Sequence, residues 1–101
     1  MSGIRVMRYV LAVAKLGHFG KAAEECNAAP STLSGQIRRL EGYLGTPLFE
    51  RRNGDVKLTP FGEQAMPMVR SMVEAADRLV ALRRGRRPQS MAPGQGLSEA
   101  F

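Results

Sequence analysis

The sequence predicts a mainly α fold, with three short packed helices and a β-hairpin followed by one long helix. Three observations carry that prediction. Apolar residues recur at helical spacing in four separate stretches. Gly17 and Gly45 stand where two of these stretches end, and Pro30 and Pro60 where two begin; glycine stops a helix and proline fits its first turn. Between the last two stretches, Asn53-Gly54 separates two short runs, and that dipeptide tolerates the positive φ angles of a two-residue hairpin turn.

The first helix spans 4–16 with Met7, Val10, Leu11 and Ala14 as its apolar stripe, and Gly17 ends it. A shorter helix begins at Phe19 and turns Ala22, Ala23 and Cys26 inward. Its two alanines make a small surface that another helix can approach closely. Asn27-Ala28-Ala29 is the turn. The third helix starts at Pro30, whose missing N–H costs nothing there. It carries Leu33, Ile37, Leu40 and Leu44 as a narrow core stripe. At about 100° per residue, its opposite face holds Ser31, Gly35, Arg38 and Gly42, flanked by Thr32, Ser34 and Arg39.

The hairpin flanks are Phe49–Arg52 and Asp55–Leu58, with Phe49 and Leu58 toward the core and Arg51, Arg52 and Lys57 near the tip. This is a wing. Thr59 and Pro60 then read as N-cap and first residue of a long helix reaching about Arg84, bent locally by Pro67. Ala65, Val69, Met72, Ala76 and Leu79, with Arg83 beyond, fall at alternating steps of four and three, a coiled-coil-like seam. A small domain cannot cover so long a stripe, so a second copy of the same helix, parallel or antiparallel, completes a twofold dimer. Arg83, Arg84, Arg86 and Arg87 read first as a complement to the negative end of the helix dipole, with a phosphate-binding tail or neither role as the alternatives. From Gly85 onward the sequence loses periodicity and reads as a disordered tail. The expected division is a domain over 3–60, a dimerising linker helix over 60–84 and a tail over 85–101.

At 101 residues, 44% hydrophobic and without Trp, the chain has room for one small domain with a modest core. Fifteen Lys/Arg against nine Asp/Glu give a formal charge of +6, which favours a polyanionic partner, either nucleic acid or an acidic membrane surface. One cysteine excludes an intrachain disulfide, and no residues have zinc-ligand spacing, so no metal or cofactor is expected. No apolar run approaches the roughly 20 residues of a membrane span. The opening MSGIRVMRY lacks the apolar block of a signal peptide, so the expected location is the cytoplasm.

The functional candidate is the outer face of the third helix. A short helix, a tight turn and a longer helix over about 19–38, followed by a hairpin, make a winged helix-turn-helix. Small side chains at Ser31, Ser34 and Gly35 let the backbone lie close to base edges, and the hydroxyls can bond bases or phosphates. Gly35 inside a helix costs roughly 1 kcal/mol against Ala, a cost that close approach to an outside partner would offset. Arg38, Arg39, Arg51, Arg52 and Lys57 suit phosphate contacts, with the wing arginines favoured because the hairpin projects. Cys26 sits inward with no base one turn away and reads as an inert thiol. His18, in a helix-entry turn, reads as a cap or packing residue. With no Ser/His/Asp set, phosphate loop or carboxylate pair, an enzyme is not expected.

The runs AVAKLGHFGKAAEECN, TLSGQIRRLEGYLGTPLFERR and KLTPFGEQA, in that order, resemble the N-terminal DNA-binding region of LysR-type transcriptional regulators over about 4–82. HFGKAAEEC followed by TLSGQIRRLE is most similar to the peroxide-sensing branch. The resemblance implies a winged helix-turn-helix with a dimerising linker helix. It also implies that Pro30, Ser31, Thr32, Ser34 and Gly35 face double-stranded DNA, together with Arg51 or Arg52. Pro30 and Gly35 stand where the family often has Gln and Arg. Family members carry a two-lobed effector domain after the linker helix, so no small-molecule effector is expected on this chain. The expectation is a homodimeric regulator on a pseudo-palindromic site, with an effector-less dimerisation module that modulates a full-length relative as the alternative.

Overall fold

The Gly17, Gly45 and Asn53-Gly54 breaks divide the chain as the sequence predicts. The computed structural model describes residues 3–86. Its elements are α1 (Gly3–Leu16), α2 (Phe19–Glu25), α3 (Pro30–Leu44), β1 (Phe49–Arg52), β2 (Asp55–Leu58) and α4 (Pro60–Ala81), closed by a π-type turn over Leu82–Arg86. The chain beyond Arg86, which includes Arg87 and most of the expected tail, lies outside the described residues.

Local chemistry sets each boundary. The Lys21 N–H donates to His18 Nδ1 at 3.1 Å and caps α2. Gly45 ends α3 in the left-handed region at φ 81°, with its N–H on the Glu41 carbonyl. Asn53 and Gly54, at φ 51° and 84°, supply the two positive angles of the hairpin turn. The Gly62 N–H donates to Thr59 Oγ1 at 2.9 Å and caps α4, while the Thr59 hydroxyl donates to the Pro47 carbonyl at 2.8 Å. That pair of bonds ties the start of α4 to the loop before the wing. The two strands pair antiparallel, Phe49 opposite Leu58 and Arg52 opposite Asp55.

α1 is the centre of the fold. α2 and α3 pack on it, and α4 crosses it as well. Val10 and Val13 of α1, Ala22 and Ala23 of α2, and Leu33 and Ile37 of α3 lose almost all solvent contact, with Leu48 beneath the wing. The buried arc of α1 is wider than expected and rotated: Val6, Tyr9, Val10, Ala12 and Val13 are innermost, with Met7, Leu11 and Ala14 at the margin. A helix covered by three others needs more than one narrow stripe. On α3 the stripe runs out early, because Leu44 is exposed and the chain turns at Gly45 to bring Leu48 and Phe49 into the core instead.

α4 requires a correction to the expected seam. Gly62, Met66, Val69, Val73 and Ala76 face inward. Val69 and Ala76, assigned above to a dimer seam, are therefore buried in their own protomer. Arg8 of α1 pairs with Asp77 of α4 at 2.9 Å beside this contact. Met72 and Leu79 remain exposed, and Ala65 packs at the core margin. The exposed apolar residues Phe61, Met68, Met72, Leu79 and Leu82, joined by Ala65 and Ala75, follow the same four-three alternation one residue out of step with the buried stripe. α4 continues through Pro67, whose ring nitrogen gives the Glu63 carbonyl no partner, on the solvent side of the helix.

Candidate nucleic-acid interface

The first turn of α3 differs from those of α2 and α4. Its N-cap is Ala29, which provides no side-chain hydrogen bond, and the first turn, as in α2 but unlike α4 with its Glu63, holds no acidic residue. The free backbone amides and the positive end of the helix dipole therefore point outward without an internal counter-charge. Pro30, Ser31 and Thr32 are exposed there, Ser34 is half-buried, and Gly35, Arg38 and Arg39 are exposed further along. A Cβ added at Gly35 or Gly42 would meet nothing within 4 Å. No internal packing requires glycine at either position. Tyr43, 87% exposed, ends the same outward side. Its spacing of four from Arg39 and eight from Gly35 is a signal present in the sequence itself.

The wing arginines, treated as a pair above, separate in the structure. Successive strand residues point to opposite faces. Phe49 and Arg51 share the face toward α2 and α3, while Glu50 and Arg52 share the outer face with Lys57 and Asp55 across the ladder. The Arg51 guanidinium lies 4.3 Å from the centre of the Phe19 ring, a cation–π contact. Phe49 meets the same ring edge-on, centroids 6.1 Å apart. A recess of about 150 Å³ opens where α3 meets the wing, lined by Ser34, Arg38, Glu41 and Arg51. The structure thus brings Ser34, Arg38 and Arg51 together and leaves Arg52 on a charge-balanced face. No sequence signal pointed to Phe19, because its contacts with β1 join residues far apart in the chain.

Charge pairing reinforces the asymmetry. Among the described residues the ion pairs include Arg8–Asp77, between α1 and α4, and Lys15–Glu25, between α1 and α2. No ion pair among them involves Arg38, Arg39, Arg51, Arg52 or Lys57. Cys26 ends α2 half-buried beside this second pair, and burial, followed by the Glu25 carboxylate, pushes its thiol pKa up. That environment suits a quiet thiol. Among the described residues no three His, Cys, Asp or Glu side chains gather to hold a metal, and no helix is long and apolar enough to cross a membrane.

The family model for the bacterial regulatory helix-turn-helix protein, lysR family, matches residues 4–63. The chain is 43% identical over 76 residues to the HTH-type transcriptional regulator IlvR of Caulobacter vibrioides, covering 75% of this chain and 26% of the relative. It is 42% identical over 73 residues to the hydrogen peroxide-inducible genes activator of Pectobacterium carotovorum, covering 68% and 24%. Among solved structures, the BenM DNA-binding domain in complex with benA site 1 DNA superposes with a TM-score of 0.72 at 35% identity, covering 78% of this chain and 92% of that one. The chain spans about a quarter of the length of these curated relatives.

Proposed function

The chain belongs to the lysR family of bacterial regulatory helix-turn-helix proteins, and on that premise we propose that it regulates transcription by sequence-specific binding to double-stranded DNA. The observation that carries this reading is the outer face of α3. It presents an uncapped N-terminus, Ser31, Thr32, Gly35 and an Arg38 without an ion pair among the described residues, with Gly35 and Gly42 meeting no other described part of the protein. Helix–DNA contact supplies the missing reason for each: amides and arginines for phosphates, hydroxyls and bare backbone for base edges.

In this reading Pro30, Ser31, Thr32, Ser34 and Gly35 lie against the major groove. Arg38 and Arg51 hold phosphates near the start of the wing, and Arg52 reaches outward from its other face. Residues 3–60 form the DNA-binding unit. Residues 60–84 carry the dimer contact through the exposed seam centred on Met68, Met72 and Leu79, to which Ala65 contributes. An antiparallel pairing suits this helix, because Arg78, Arg83 and Arg84 crowd one end and would face their own copies in a parallel pair. Two copies of α3 then meet half-sites about one helical turn apart or a multiple of it.

Selecting bound duplexes from random-sequence DNA, with the mass of the protein measured in solution, tests the proposal. An inverted repeat and a dimer mass are expected, with affinity falling steeply as salt rises. Recovery of no preferred sequence would overturn it.

A further inference from the structure

Phe19, the first residue of α2, is gripped by one face of β1. The Phe49 ring stands T-shaped to it, centroids 6.1 Å apart, and Arg51 lies over its face, the guanidinium carbon 4.3 Å from the ring centre. Arg51 has no ion pair among the described residues, so the ring is what holds it. A cation–π contact uses the ring's quadrupole and leaves the guanidinium N–H donors unspent. Arg51 lines the recess of about 150 Å³ together with Ser34 and Arg38. Glu41, the one carboxylate lining the recess, is engaged by the Leu48 and Phe49 amides through Oε2.

We infer that Phe19 is a positioning residue for DNA binding: it holds Arg51 beside Arg38 and Ser34, so that the three engage one backbone phosphate at the junction of α3 and the wing. An aromatic residue that never touches DNA thereby sets where the wing grips it. The inference rests on the DNA-binding reading above.

The test uses the full chain and the duplex recovered by selection, with affinity measured across a salt series. Phe19→Leu is expected to bind about three- to tenfold more weakly, with its salt slope reduced by up to about 0.9, the full value of one phosphate contact, because Arg38 stays on the shared phosphate. Arg51→Gln should match it, and the double variant should be no weaker than Arg51→Gln alone. Phe19→Tyr should bind as the parent does. Replacing Phe19 by pentafluorophenylalanine keeps the ring's shape and reverses its quadrupole. That variant should reproduce the leucine loss of affinity and slope while keeping the parental helical circular dichroism signal, and it decides the matter if Phe19→Leu does not fold. A parental slope in the fluorinated variant, or fully additive losses in the double variant, would overturn the inference while leaving DNA binding intact. A parent chain that binds no duplex would sink both readings.

Discussion

Glu41 fastens α3 to the base of the wing, its Oε2 accepting the Leu48 N–H at 2.7 Å and the Phe49 N–H at 3.2 Å. One carboxylate oxygen thus satisfies two amides of the turn that carries the chain from α3 into β1. Hydrogen bonds to a charged, partly buried acceptor are worth more than neutral ones. Glu41→Ala should lower unfolding free energy by about 1–3 kcal/mol and speed hydrogen exchange at Leu48 and Phe49. Glu41→Gln, which keeps one acceptor, should fall between. Unchanged exchange at both amides would show that the turn holds its shape without this side chain.

The parts legible in the sequence are those fixed within a few residues. His18, Gly45, Asn53-Gly54 and Thr59 act on their own backbone, and each stands at the boundary it predicts. Contacts between distant segments were not legible. Gly62 packs so tightly on the Leu48 carbonyl that an added Cβ would collide with it, and would lie 2.9 Å from Leu58 Cδ2. Nothing in the local sequence distinguishes this glycine from Gly42, which faces open space. The α4 stripes failed for a related reason. Spacing reveals that the helix has apolar stripes, but only the position of α1 decides that Val69 and Ala76 turn inward while Met72 turns out.

That division gives the two faces of α4 different behaviour on mutation. Val73 is buried against the domain, whereas Met72 is 44% and Leu79 40% exposed. Val73→Ala should destabilise the protomer by about 1–3 kcal/mol through lost burial and a residual cavity. Met72→Glu with Leu79→Glu should leave the helical circular dichroism signal intact yet convert a dimer mass to a monomer mass in sedimentation. A dimer that survives the double charge substitution would move the contact off this seam.

Burial and Glu25 both disfavour the Cys26 thiolate. Its folded pKa therefore lies above the unfolded one, and the stability linked to the neutral thiol is fully present below the ordinary thiol pKa. It is lost as pH rises through the folded value. Alkylation of the folded chain should be slower than that of the urea-unfolded chain at neutral pH, and its pH profile should be displaced to the alkaline side. A profile displaced to the acid side would mark Cys26 as an activated thiol instead.

Gly35 sets stability against binding in a way a single substitution can read. The position is mid-helix, exposed, and open to a methyl group on every side the protein itself occupies. Gly35→Ala should therefore stabilise the fold by about 0.5–1 kcal/mol, since glycine carries extra backbone entropy into a helix. The same methyl would stand on the face proposed to lie against base edges, so affinity for the selected duplex should fall even as the melting temperature rises. Gly42→Ala makes the same local change two turns further along α3. It should gain comparable stability at a smaller loss of affinity, because the N-terminal part of such a helix makes the base contacts. If Gly35→Ala bound as tightly as the parent, the glycine would owe its place to something other than close approach, and the major-groove assignment of this face would lose its main structural support.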